Sequence, residues 1–287
     1  MKKALAILVV GGLLCVSAWG QQALMMSSAY AAPDLAALGV EAPNREEASF
    51  SKVPMLPLVP VRPRMSAELA LTTYESRASN QPFTLAGYSD TTIIQAELPD
   101  SRQRGEFELK RTYAAPRTLK FTPVRFLGDS FVKTNIIARL LQGEVTHVSK
   151  QKGAETALNE QNYKFSFKSV EQIDDRPMYV FNVKPRKKHP GLFKGRIFLD
   201  PFTGSLRRAE GTMIKSPSWF VKKVEFVQDY DDISGFILPV RLHSVAKARI
   251  IGRTIVDVIH RDYQAEAGQV ALETDSAEDE NLTASSN

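Results

Sequence analysis

Cysteine is almost missing from this chain: Cys15 is the only one among 287 residues. It falls in a segment whose composition predicts removal, so the mature chain should hold none. That excludes disulfides, thiolate catalysis and Cys-ligated metals. The four histidines, His147, His189, His243 and His260, show no metal-ligand spacing, and no His-Glu-x-x-His string occurs. There is no Gly-rich phosphate loop and no internal repeat, and no cofactor is implied. Strong charge is missing too. The net charge is +5, with Lys2 and Lys3 in the segment to be removed. The mature chain is then only mildly basic, too weak a bias for nucleic acid but compatible with anionic lipid headgroups.

Residues 1–20 have the form of a secretory signal peptide. Lys2 and Lys3 are its charged start, Ala4 to Val16 its apolar core and Ala18-Trp19-Gly20 a small-x-small cleavage site. The apolar run is shorter than the roughly 20 residues a membrane span needs. Leu14 before Cys15 argues against lipidation, because a lipobox has a small residue there. A second cut after Ala31 is also open. The expected location is the periplasm. Residues 21–64 carry prolines at 54, 57, 60 and 63, a spacing of three that suits a polyproline II linker. Residues 265–287 form an acidic, Ser-rich tail with the composition of a disordered segment.

Between these ends, residues 65–264 predict one mainly β domain. Ser66 is placed to cap a helix whose face would be Ala67, Ala70, Leu71, Tyr74 and Ala78. Strands are expected over about 83–98, 105–113 and 118–126. A second helix should begin near Ser130, with Gly143 as its terminating residue, and 145–162 reads as loop. From Tyr163 to Tyr263 apolar and polar residues swap at every step, with no helix long enough for a crossover. Turn signals at Ile173 to Pro177, Asp200 to Gly204 and Asp231 to Gly235 separate the runs, with the doublets Asp174-Asp175 and Asp231-Asp232 read as turn residues. Such a pattern marks an antiparallel meander with one dry and one wet face.

The dry face would carry Phe165, Phe167, Tyr179, Phe181, Val183, Phe226 and Tyr230, with Trp219 and Phe220 at its entrance. This many large apolar residues must pack against helices or hold an apolar guest. A second candidate is the basic connection Lys184 to Arg196. Arg186, Lys187, Lys188 and Lys194 lie there beside Leu192 and Phe193. Cations next to an exposed apolar tip suit an anionic membrane or an acidic partner, so a peripheral contact with a membrane or with a membrane-protein partner is expected. An enzyme reading is also available. Gly128-Asp129-Ser130 and Asp257-Val-Ile-His260 echo the GDSL-type serine esterases. Against it, that fold is α/β, Ser130 reads as a helix start, and a separation of three puts Asp257 and His260 on opposite faces of a strand.

Four strings carry a family resemblance: Leu192 to Asp200, Arg207 to Gly211, Ser218 to Phe226, and Gly235 to Pro239. They resemble the bacterial outer-membrane lipoprotein-sorting proteins, the LolA-like and LolB-like domains to which the regulator RseB is also similar. The resemblance implies a curved antiparallel sheet, an incomplete barrel covered by two short helices, whose concave face holds acyl chains. It implies a monomeric, non-enzymatic carrier or sensor of lipid or lipoprotein, or else an RseB-like module acting through protein contacts. Nothing in it implies a nucleic-acid partner.

Overall fold

The computed structural model describes residues 64–215, 221–249 and 252–268. The expected signal peptide, the linker up to residue 63 and the tail from residue 269 lie outside the described residues, as do Trp219 and Phe220.

Helix α1 (Ala67–Thr84) starts where Ser66 accepts a hydrogen bond from the Leu69 amide at 3.1 Å. Its apolar face buries Ala70 and Tyr74, with Ala67, Leu71 and Ala78 packed beside them. The helix takes up Phe83 and Thr84, which were expected in the first strand. Pro82 sits in the last turn, where the Thr84 hydroxyl donates to the Asn80 and Gln81 carbonyls.

Strands β1 (Leu85–Leu98), β2 (Gln103–Ala114) and β3 (Thr118–Gly128) follow. Then comes a helical run of α2 (Ser130–Val132), a π-turn (Lys133–Ile137) and α3 (Ala138–Ser149). Gly143 does not end this run. It is buried, and the helix continues because Glu144 and His147 beyond it are buried as well. A short α4 (Gly153–Thr156) occupies part of the expected loop.

The meander comprises β4 (Tyr163–Ile173), β5 (Arg176–Pro185), β6 (Phe193–Leu199), β7 (Leu206–Met213), β8 (Val221–Ile233), β9 (Phe236–Ala248) and β10 (Gly252–Ala267). All ten strands form one antiparallel sheet in the order β3-β2-β1-β10-β9-β8-β7-β6-β5-β4. β10 returns to pair with β1, and β3 and β4 are the free ends. The tail was expected to begin at Ala265. Instead β10 pairs with β1 as far as Leu85 and Ala267.

Laid flat, ten strands would span about 43 Å. Yet one apolar cluster unites Phe107 and Leu109 of β2 with Phe181 and Val183 of β5 and with Leu140 of α3. The sheet is curled around that cluster, an unclosed barrel with short helices over it. Two glycine pairs face each other across neighbouring strands, one in each arm: Gly105 opposite Gly128, and Gly195 opposite Gly211. A Cβ at Gly195 would run into the Glu210 carbonyl oxygen, so no larger residue fits that close approach.

Turn chemistry sets the register. Asp174 and Asp175 both adopt positive φ, 48° and 60°, as a tight hairpin requires. Asp231 and Asp232 are not turn residues. They end β8, and the turn is Ser234-Gly235, at φ 53° and 88°. Asp232 is freed to bind α1, accepting from Arg77 at 2.6 Å and from the Ser205 hydroxyl at 2.8 Å. Burial tends to raise its carboxyl, but these bonds and the nearby arginines win and hold it below the usual range. A turn away, the Gln81 amide donates to the Ile237 carbonyl at 3.1 Å and accepts its N–H at 2.8 Å. A side chain here does the work of a neighbouring strand.

Candidate functional site

The inner surface of the curled sheet changes character from one end to the other. At the β4 end it is aromatic. Register sets Phe165 opposite Val183 and Phe167 opposite Phe181, and a bulge at Lys168 then brings Val170 opposite Tyr179. Phe181 and Val183 are buried, at 3% and 1% exposure, with Phe165 and Tyr179 partly buried beside them. Phe167 packs edge-on to Phe181 at 5.6 Å and to Tyr179 at 6.0 Å, yet remains 51% exposed. Val170, which sequence reasoning passed over, is 50% exposed on the same face. The helices pack on β1, β2, β3 and β6, and the Tyr179 hydroxyl donates to the Met65 carbonyl just before α1 at 2.6 Å. Phe226 and Tyr230, at 5% each, lie deeper in the shared core.

The basic connection differs from expectation. Leu192 and Phe193 are not an exposed tip; they are 0% and 3% exposed. Phe193 packs edge-on to Phe226 at 4.9 Å and tilts against Tyr163 at 5.5 Å, because the strand entry turns these residues inward. Arg186, Lys187, Lys188 and Lys194 are exposed around this buried root.

At the other end of the sheet the inner face holds a group of ions that sequence reasoning missed. Arg111 of β2 is fully buried. It donates to Asp90 of β1 at 2.7 Å, to Glu144 of α3 at 3.1 Å and to the Tyr263 hydroxyl of β10 at 2.6 Å. Its guanidinium carbon lies 5.0 Å from the Tyr88 ring centroid. Thr92 donates to Asp90 at 2.5 Å, and His260 Nδ1 lies 2.9 Å from Thr92 and 3.2 Å from Asp90. The pattern that betrays this group is a polar residue on a buried row. Arg111 follows Phe107 and Leu109 on the inward positions of β2, and Asp90 precedes Thr92 and Ile94 on those of β1.

Burial would raise the Asp90 carboxyl, but His260, Arg111 and Thr92 hold it below the usual carboxylate range. Glu144 is pushed up, mainly by burial, against the pull of Arg111. Burial and the Arg111 charge drive His260 down to about 4, so it is neutral at physiological pH. The Glu144–Arg111 bond joins α3 to the sheet. It is a closure between helix and strands.

The esterase constellation is not assembled. Ser130 is exposed at the start of α2, His260 is bound to Asp90 and Thr92, and Asp257 pairs with His243 at 2.8 Å. Among the described residues no group of three or more His, Cys, Asp or Glu side chains could hold a metal ion. None of the described helices is long and apolar enough to cross a membrane.

No protein-family model and no curated protein matches the chain. Comparison with solved structures finds distant matches, among them the following. A LolA superfamily protein from Nitrosomonas europaea is 13% identical, covering 70% of this chain and 93% of its own, with a TM-score of 0.35. A DUF1329 family protein from Desulfovibrio piger is 10% identical over 71% and 92% of the two chains, with a TM-score of 0.34. The Pseudomonas aeruginosa MucA/MucB complex is matched at 12% identity over 70% and 94%, with a TM-score of 0.25.

Proposed function

We propose that this chain is an exported, non-enzymatic binding protein that takes up an acyl chain, of a lipid or a lipoprotein, at the β4 end of its curled sheet. One observation carries the reading. Phe167 and Val170 face inward by register yet stand half exposed, continuous with the buried ring of Phe181 and the partly buried ring of Tyr179. An inward aromatic strip open at one end offers an apolar chain a path from solvent into the core, and large exposed apolar strips mark binding sites. The strip itself is built of apolar side chains, which offer an acyl chain burial.

The test is titration of the full chain with a fluorescent fatty acid in solution. The parent should bind saturably. Phe167→Asp should keep its fold, since the ring is half in solvent, and lose the probe by at least about tenfold, because a charge would face the chain. A parent that never binds, while Phe167→Asp weakens capture of a protein partner, would favour the RseB-like regulatory reading.

A further inference from the structure

The outward surface of the same strands carries a row of lysines. Lys164 of β4 and Lys184 of β5 are directly opposed in register. Lys194 of β6 is the next residue out from the Val183–Gly195 pair, so it extends the row by one strand. Neighbouring side chains in such a row sit about 5 Å apart, and like charges directly opposed are destabilising. Arg186, Lys187 and Lys188 follow immediately in the loop, and all six cations are exposed. None of the six makes an ion pair among the described residues. Of the acids close in the chain, Glu155 pairs with His189 at 3.4 Å, and Glu160 lies in the loop before β4.

The next row along the same surface shows that pairing is available where the fold uses it. There Arg196 binds Glu171 at 3.1 Å and Glu210 at 2.5 Å. The lysine row has no such partners, and its base is rigid. Arg186 donates to the Glu160 and Tyr163 carbonyls at 2.6 and 3.0 Å, and Leu192 and Phe193 are buried beneath the loop.

We infer that this face, Lys164, Lys184 and Lys194 with the Arg186–Lys188 loop, docks the protein on an anionic lipid bilayer. Lysines present compact point charges on flexible stems, which suit a diffuse field of phosphates better than bidentate capture of one group. Among the described residues no exposed aromatic ring lies in the lysine row or in the Arg186–Lys188 loop to stack a nucleic-acid base. The inference deepens the acyl-chain reading and rests on it. β4 carries Lys164 on its outer face and Phe165 and Phe167 on its inner one, so a docked sheet edge brings the open aromatic strip to the source of acyl chains.

Flotation of the full chain with vesicles tests this. Vesicles of phosphatidylcholine with about one third phosphatidylglycerol should carry the protein, and phosphatidylcholine alone should not. Binding should fall as salt rises from about 0.05 to about 0.5 M. The triple variant Lys164→Gln, Lys184→Gln, Lys194→Gln should lose on the order of a hundredfold in partitioning. It should melt no lower than the parent and bind the fluorescent fatty acid in solution as the parent does. Equal binding to neutral vesicles, or an unaffected triple variant, would overturn the inference. So would a protein that ignores vesicles yet holds polyglutamate at low salt, which would assign the face to an acidic polypeptide. Because probe binding in solution involves no vesicle, the acyl-chain reading can fail or survive separately.

Discussion

The two ends of the sheet fill their inner faces in opposite ways. Around β1, β2 and β10 the interior is closed by Arg111, Asp90, Glu144, Tyr263 and His260, with α3 tied down by one of the ion pairs. At β4 and β5 the interior is aromatic and unclosed, and Phe167 meets solvent. Buried ions are a poor source of net stability. What they provide is one allowed arrangement of helix on strands, since every other arrangement strands a charge. The aromatic end has no such constraint; apolar surfaces accept any partner of suitable shape. One end is fixed by charge pairing, and the other is packed by apolar rings alone.

The comparison breaks most severely at Arg111. Arg111→Leu leaves Asp90 and Glu144 buried without their cation, which should cost roughly 3–5 kcal/mol in chemical denaturation. A loss under about 1 kcal/mol would mean that the two carboxylates are solvated and the end is not closed.

Acid sharpens it next. His260 and His147 are both buried and held down to about 4. The unfolded chain takes up their protons near pH 6.5, whereas the folded chain does so only near 4, so stability falls as pH drops through that window. Each histidine contributes roughly 1 kcal/mol per pH unit there. Glu144, whose pKa is raised, works the other way: its contribution is fully present below its ordinary pKa and declines as pH rises above it. Asp90, whose pKa is lowered, loses its contribution only at still lower pH. Denaturation curves between pH 7 and pH 4 should therefore steepen downward, and His260→Gln should remove about half of the slope. A flat profile would place both rings in water.

Much of this architecture was legible in the chain. Period-two runs and turn residues give β4 to β10 because alternate burial of one sheet face leaves that mark on any antiparallel meander. Where the reading slipped, a tertiary contact overrode a local signal. The hairpin closes within the expected Asp231–Gly235 stretch, at Ser234-Gly235, but the Asp231-Asp232 doublet is not part of the turn, because Asp232 is held by Arg77, 155 residues away. Gly143 resembles a helix stop, but burial of Glu144 against Arg111 carries the helix past it. Leu192 and Phe193 lie among cations, and the local pattern does not reveal that β6 begins by burying them. Half-exposure of Phe167 was not legible at all. It depends on which strand ends the sheet, a property of topology and not of spacing.

Smaller effects separate the ends further. Gln81→Leu removes both bonds to the Ile237 backbone and leaves a buried N–H and carbonyl without partners. It should cost roughly 1–3 kcal/mol by urea titration while leaving fatty-acid binding intact. Phe167→Ser should do the reverse, shifting stability within about 0.5 kcal/mol, as surface substitutions do, while weakening the probe.

Native mass spectrometry of the full chain purified without detergent tests the central claim most directly. The account predicts an adduct with the mass of an acyl-bearing molecule on the parent, retained in Leu127→Asp, which alters an equally exposed residue at the far edge of the sheet. The adduct should be lost in Phe167→Asp. A Phe167→Asp variant that keeps the adduct, or a parent repeatedly found empty that also fails to take up added fatty acid, would contradict it.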